Sequence, residues 1–379
     1  MYAPLVLVPT RHDLRLLART SDDYMLLAPE AYDVLKRAVH EHRPLPASIL
    51  VRAQKMWGLD LSAMNATRAL LIRERTEYDY ANASWELNLR CNYNCAHCYL
   101  GARPLGSLQM PGRLKVLAAM RDLGVYRLQL TGGEPMIDRY FVETYLAAYR
   151  MGMLIRISTN ASLLRRDKIL RLLTDYPPLS VAVSCYGATA DTYEGLTRTG
   201  SGTFERYRRG LKAAVEAGIK LRLNIIVTKY NDHQVAAMEA LADRLGIEHY
   251  VYGRLSATVQ GTGEVLAAQS SKVDLRQARA PFTGCNAGKT FFHVDPSGRA
   301  SICKIAREPW VQLNKTGAAG IGQLVAASAE LMSRSGACAG CELVSSCSTC
   351  PPQVDDYRKA GASEAFYCQH SSREGDTLG

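Results

Sequence analysis

The stretch "LRCNYNCAHCYLG", residues 89–101, places Cys91, Cys95 and Cys98 within eight positions of one another. A tetrahedral metal site or a closed iron–sulfur cluster takes four ligands, and this loop supplies three thiols. The triplet directly follows "WELNL", a strand-like run, so the cysteines occupy the turn at a strand's C-terminal end. Downstream the pattern repeats as strand then helix. Strands are expected in "SWELNLRC", "YRLQLTGG", "LIRISTNA", "LSVAVSCYG", "KLRLNIIVTKYN" and "IEHYVYGRLS". Helical periodicity is expected between them in "PGRLKVLAAMRDLG", "DRYFVETYLAAYRMG", "RDKILRLLTDY", "TFERYRRGLKAAVEAG" and "DHQVAAMEALADRLG". The alternation predicts an α/β fold with parallel strands and right-handed crossovers. Six units fall short of the eight of a closed barrel, so a partial (β/α)6 barrel, open on one flank, is expected.

Working outward, residues 1–80 hold short apolar runs and then helical patterns in "PEAYDVLKRAVHEH", "PASILVRAQKMWG" and "SAMNATRALLIRER". Three strands followed by three helices suggest a winged-helix-like module. Residues 81–260 are assigned to the barrel. Residues 256–280 are rich in Gly, Ser, Thr and Ala and read as a linker, and 275–379 form a third region with little periodic structure. Seven of the eleven cysteines lie from Cys285 onward. Metal, more than an apolar core, is expected to hold that region together.

Composition sets outer limits. Hydrophobic residues make up 47% and charged residues 22%, ordinary for a globular chain, with a net charge of +10. No apolar run approaches the ~18–20 residues that cross a bilayer, and "MYAPLVLVPTRHDLRL" lacks the basic start and apolar core of a signal peptide. No basic run interleaved with aromatics argues for nucleic acid. Eleven cysteines without an export signal fit a reducing, cytoplasmic setting, where such clusters more often bind metal or do redox chemistry than form disulfides.

The spacing C-x3-C-x2-C after a first β-strand resembles the signature of the radical S-adenosylmethionine (SAM) superfamily. The resemblance implies that Cys91, Cys95 and Cys98 hold three irons of a [4Fe–4S] cluster, with the fourth iron left for SAM. It further implies reductive cleavage of SAM to a 5′-deoxyadenosyl radical that takes hydrogen from a substrate. A partial zinc site completed by His97 is the competing reading, although adjacent Cys and His side chains compete for geometry. "TGGEP" (Thr131, Gly132, Gly133, Glu134, Pro135) follows the second strand, as the family's SAM-amine motif does. Ser158 and Asn160 in "STN" are candidates for the ribose. Ser184, and Arg198 in "LTRTGSGTF", are candidates for the SAM carboxylate, Arg198 through a charge-assisted bond; alone, Arg198 would read as a surface arginine. Side chains alternate in "VAVSCYG", so Ser184 and Tyr186 share a face and Cys185 points to the outer helices as a structural thiol. Many peptide-modifying relatives resemble "SLDG" here. This chain has Tyr186 in place of the acid, a candidate proton or hydrogen donor.

The later cysteines resemble the SPASM extension of that superfamily, which carries two auxiliary [4Fe–4S] clusters. By resemblance, Cys338, Cys341, Cys347 and Cys368 ligate one, and Cys285, Cys303 and Cys350 the other, which lacks an evident fourth thiolate. The last gap of the middle portion is two residues, one shorter than usual, and zinc is the competing metal for paired C-x2-C units. The N-terminal module resembles the PqqD-like recognition element of ribosomal peptide maturases, which binds a leader peptide as an added strand. Taken together, these resemblances imply an enzyme with three [4Fe–4S] clusters that modifies a precursor peptide. Its electrons would come from a flavodoxin- or ferredoxin-type reductant. A radical SAM epimerase or dehydrogenase acting on a carbohydrate-type small molecule is the runner-up, and a non-catalytic iron–sulfur scaffold the third possibility.

Overall fold

The computed structural model describes residues 2–103, 106–275 and 280–370. Its first sheet joins β1 (Leu5–Pro9), β2 (Leu14–Ala18), β3 (Tyr24–Leu27) and β4 (Leu70–Ile72) in the order β3-β2-β1-β4. Helices α1 (Ala31–His40), α2 (Ala47–Trp57) and the single turn α3 (Ala66–Ala69) lie between β3 and β4. Both faces of β1 are buried, which accounts for its unbroken apolar run. Leu5 and Leu7 pack with Leu14, Leu16, Leu35 and Ile49 in the module's own core. Val6, Val8 and Leu17 pack instead on Tyr126, Leu154 and Leu179, at the starts of strands of the next sheet or just before them.

One expectation fails here. "SAMNATRALLIRER" is not a third full helix: after the Asn65 cap and one turn, Leu70–Ile72 pair parallel with Leu5–Leu7. A short apolar run fits helix or strand equally by periodicity, and the open edge of β1 decides for the strand.

The second sheet carries six parallel strands in chain order: β5 (Asn82–Glu86), β6 (Arg127–Thr131), β7 (Leu154–Thr159), β8 (Ser180–Cys185), β9 (Leu221–Ile226) and β10 (Glu248–Tyr252). Between them run α4 (Met110–Asp122), α5 (Phe141–Arg150), α6 (Asp167–Asp175), α7 (Ala190–Thr197), α8 (Thr203–Glu216) and α9 (Val235–Arg244). Among the described residues the sheet does not close. The C-terminal region extends it at the β5 side with β11 (Phe291–Val294), parallel to β5, then β12 (Arg299–Ser301) and β13 (Val311–Gln312). In β9, Leu221, Leu223 and Ile225 are buried under helices while Arg222, Asn224 and Ile226 are half-buried on the other face. This period of two gives the barrel an apolar outer wall and a polar lumen.

Several elements lie beyond the sequence reading, among them β11–β13 and the helices Leu313–Thr316, Gly322–Leu331 and Pro351–Lys359 in a region expected to hold little periodic structure. Helix α7 precedes α8, and β11, a four-residue "FFHV" run, joins the barrel sheet. No helix among the described residues is long and apolar enough to cross a membrane.

Candidate functional site

The loop that leaves β5 carries the cysteine triplet and is held from two sides. On one side the turn after β6 runs alongside it. Leu87 N–H donates to the Thr131 carbonyl (2.9 Å), Gly133 N–H to Asn88 (3.0 Å) and Glu134 N–H to Arg90 (2.9 Å). The glycines of "TGGEP" are what permit this approach. A Cβ on Gly132 would stand 2.2 Å from the Asn88 carbonyl oxygen, and one on Gly133 2.1 Å from that of Arg90. On the other side, the carbonyls of Leu196 and Thr197, at the end of α7, accept from Ala96 N–H (3.1 Å) and Asn94 N–H (3.0 Å). Arg198 follows at once, exposed and in the left-handed conformation (φ 52°), next to this anchor.

Cys91, Cys95 and Cys98 are free thiols, half-buried. Cys91 Sγ accepts from Tyr93 N–H (3.3 Å) and lies 3.7 Å from Asn160 Nδ2. Burial pushes the Cys91 thiol up to about 11, and burial together with the neighbouring Cys91 and Cys98 pushes Cys95 higher still. Three shielded thiols in mutual electrostatic reach are a donor set suited to an iron cluster, whose cationic irons would take them as thiolates. Among the described residues, no three Cys, His, Asp or Glu side chains converge on a single-ion site. His97 is held neutral, its imidazole pushed down to about 4 by burial, and its ring packs on Tyr186 at 5.0 Å.

The strand ends place the remaining candidates around this loop. Ser158 accepts from Gln129 Nε2 (2.7 Å) inside the lumen. Asn160 bonds Asn92 Oδ1 (2.9 Å) and so ties the end of β7 to the cysteine loop. Ser184 and Tyr186 share one face, and the Tyr186 phenol, kept protonated by burial, is in electrostatic reach of the three thiols. Cys185 points the other way, buried against Tyr207 of α8 and the Gly187 carbonyl. Glu134 has no free edge. Its carboxylate accepts from Thr159 Oγ1 (2.8 Å), Asn160 N–H (2.8 Å) and Met136 N–H (3.0 Å), so it locks the "TGGEP" turn to the end of β7.

A second group, missed in the sequence, joins the triplet to the C-terminal region. Glu86, the last residue of β5, is fully buried and takes a two-pronged ion pair from Arg307 (2.8 and 2.9 Å). Tyr99, next to Cys98, donates to the same carboxylate (3.2 Å), and His293 of β11 lies 3.5 Å away while its other ring nitrogen meets Ser84 (2.8 Å). Burial would raise the Glu86 carboxyl, but the hydrogen bonds and charges of His293 and Arg307 outweigh it and hold it well below the usual range. The available signal was a lone acid in the apolar strand "WELNL", five residues before Cys91.

Lys304 belongs to the same junction. Its Nζ lies 5.2 Å from the Tyr99 ring centre. Its side chain reaches solvent, and desolvation by the surrounding protein lowers its ammonium pKa, with Glu86 opposing that shift. Cys285, Cys303 and Cys350 lie in electrostatic reach of one another, with Ala287 and Ala306 N–H groups aimed at the first two sulfurs. Residues 346–349 run against 367–370 through Ser348–Gln369 and Thr349–Tyr367 bonds, which brings the Cys347 and Cys368 segments together. Cys338 accepts from Arg358 (3.1 Å).

The radical SAM superfamily description matches residues 85–242. Pre-heme d1 synthase of Dinoroseobacter shibae is 27% identical over 210 residues, 52% of this chain and 50% of that protein. Mycofactocin maturase of Mycobacterium tuberculosis is 28% identical over 228 residues, 57% and 56% of the two chains. The chain thus spans about half the length of the curated relatives it matches. Its fold is shared over a greater length with Streptococcus suis SuiB, solved bound to precursor peptide SuiA. That match has a TM-score of 0.60 at 13% identity, covering 92% of this chain and 95% of that one.

Proposed function

We infer that the chain, a radical SAM protein through its residues 85–242, modifies a ribosomally made precursor peptide. The observation that carries the reading is the convergence of Cys91, Cys95 and Cys98 with the polar ends of β6, β7 and β8 at one mouth of an open barrel. Support for a peptide as substrate comes from the mycofactocin maturase relative and from the fold shared with SuiB. A bound [4Fe–4S] cluster with SAM would supply one-electron cleavage of the sulfonium C–S bond and a 5′-deoxyadenosyl radical able to take a substrate hydrogen atom.

The chain's own groups do the rest. Cys91, Cys95 and Cys98 hold the cluster, and the "TGGEP" backbone, Ser158, Asn160, Ser184 and Arg198 surround SAM. Glu134 positions this set without touching it, because its oxygens are spent on Thr159, Asn160 and Met136. Tyr186, kept protonated by burial, would be the candidate proton or hydrogen donor. Cys285, Cys303 and Cys350, and Cys338, Cys341, Cys347 and Cys368, would hold two auxiliary clusters, which would supply further one-electron redox capacity, and a flavodoxin- or ferredoxin-type partner would be the reductant. Residues 1–80 take the leader peptide at the outer edge of β3, where Tyr24 and Leu26 are exposed and no strand among the described residues pairs. The barrel spans 81–260 and the auxiliary region 275–379. An open barrel flank suits an extended substrate better than a small one.

The test is anaerobic reconstitution followed by mass spectrometry of a co-expressed precursor peptide. The reading expects about twelve irons per chain, three clusters of four, 5′-deoxyadenosine from SAM, and a mass change in the peptide. Iron and 5′-deoxyadenosine without any peptide change or peptide binding would overturn it.

A further inference from the structure

The flank that leaves the barrel open ends on β10, and that edge is unprotected. Among the described residues no strand pairs on its outer side. Tyr250, Val251 and Tyr252 follow one another there, each nearly half exposed. Edge strands are normally blunted by charge, by proline or by a covering element, because their free N–H and C=O groups template another strand. Two residues carry the free groups. Val227 N–H donates to the Tyr252 carbonyl (2.8 Å), so Tyr252 and, by alternation, Tyr250 and Glu248 turn their backbone toward β9. His249 and Val251 therefore present theirs to the open side. Gly253, next in that series, has its carbonyl taken by Gln269 Nε2 (2.7 Å), which bounds the free stretch.

The lumen wall runs out to this edge from the candidate SAM site. Register places Ser184, Asn224 and Tyr250 in one row across β8, β9 and β10, with Ile226 and Tyr252 in the next. Tyr250 is a fixed platform in that wall. Its hydroxyl donates to Glu248 (3.0 Å), and the Arg222 guanidinium lies 5.2 Å from its ring centre. Inward of it, Arg222 Nε and Asn224 Oδ1 are buried with no hydrogen-bond partner among the described residues. One unmet donor and one unmet acceptor on the same face of β9 are costly until a polar ligand meets them. An occupant of the β10 edge has side chains turned toward both.

We propose that the free edge of β10 takes the segment of the precursor peptide that is modified, as an added strand paired with His249 and Val251. Every second side chain of that segment then turns into the lumen beside Tyr250 and Tyr252, toward Asn224 and Ser184. The inference rests on the peptide reading above and adds where the modified segment lies and what holds it. Main-chain bonds, indifferent to side-chain identity, supply the grip, and the two tyrosines select among the inward residues.

The experiment joins amide hydrogen exchange on the reconstituted full chain to a scan of its substrate. The probes are the synthetic precursor peptide and forms of it N-methylated at each core residue in turn. Binding the unaltered peptide should slow exchange in a fragment spanning residues 248–253. N-methylation should weaken binding about 3- to 10-fold at alternate core residues and little between them, since only every second peptide N–H faces β10. Val251→Pro removes one free N–H at an edge position, where proline is tolerated, and should raise the peptide Kd about 3- to 10-fold. Val251→Thr keeps that N–H, so its loss should be the smaller of the two. The scan uses only the wild type, so a Val251→Pro chain that fails to fold leaves it decisive. A scan without a period of two overturns the proposal. So does exchange at 248–253 that stays unchanged by a peptide the enzyme binds and modifies. Protection of 248–253 without peptide, growing with protein concentration, would assign the edge to a second copy of the chain and overturn it as well. In each of these events peptide modification by the wild type still stands. If the wild type neither binds nor modifies the peptide, the function reading fails first and takes this inference with it.

Discussion

Glu134 reads in the sequence as a ligand-facing residue of "TGGEP", and in the fold it is a buried lock. Burial is the largest influence on its carboxyl and pushes it up to about 7, against the hydrogen bonds from Asn160, Met136 and Thr159. Folding therefore raises its pKa from about 4.5, and the folded chain keeps a proton that the unfolded chain releases. That stabilisation is complete below pH 4.5, is lost as pH rises through 7, and amounts to about 3 kcal/mol. Gln at this position cannot titrate. Anaerobic thermal melts between pH 6 and 8 should show a downward slope of Tm with pH in the wild type that flattens in Glu134→Gln. Parallel slopes would remove Glu134 as the source. Other single residues were legible from periodicity alone: the alternation in "VAVSCYG" anticipates Cys185 against the outer helices, where it packs on Tyr207 of α8. Glu86 and Lys304 were not, because their meaning depends on Arg307 and Tyr99, partners hundreds of residues apart or across a loop.

At the scale of elements, the strand–helix alternation was readable because buried parallel strands are apolar runs and their covering helices are amphipathic. The short α7 escaped notice. Its eight residues carry little helical periodicity, yet its last carbonyls hold the cysteine loop. Strand β4 was misread for the complementary reason, since three apolar residues take the conformation that an open edge offers. The glycines separate these local effects cleanly. Gly133→Ala drives a Cβ into the Arg90 backbone at 2.1 Å, which no side-chain rotation relieves. The turn after β6 must then part from the triplet loop, at a cost of about 1–3 kcal/mol or more. Reconstituted Gly133→Ala should lose about four irons per chain, one cluster, and form no 5′-deoxyadenosine. Gly195→Ala is the control: a Cβ there meets nothing within 4 Å, and alanine inside α7 should raise stability by up to about 1 kcal/mol with iron content unchanged. Equal iron in both variants would show that the two backbones need not touch.

The whole molecule is three regions pinned by buried polar ties as well as by apolar contact. Arg73 reaches from the N-terminal module to the carbonyls of Val125 (2.6 Å) and Arg121 (2.8 Å), and Glu86 reaches from the barrel to Arg307 of the C-terminal region. The second tie makes an asymmetric prediction. Glu86 is wholly buried, whereas the Arg307 side chain keeps 22% of its surface in contact with water. Arg307→Met strands a desolvated carboxylate that keeps only Tyr99 and His293 as close contacts, with Lys304 in electrostatic reach. Glu86→Gln strands a guanidinium that can still hydrate. The first should cost about 3–5 kcal/mol and the second less. Joined in one chain, the two substitutions remove both charges from the interior and should recover part of the loss, giving a coupling of about 1–3 kcal/mol in anaerobic denaturation. Because the Arg307 loop also carries Cys303, the Arg307→Met protein should lose iron from the C-terminal region before the triplet loses its own. Strict additivity, or equal costs for the two single variants, would mean that Glu86 and Arg307 sit side by side without binding the barrel to its C-terminal region.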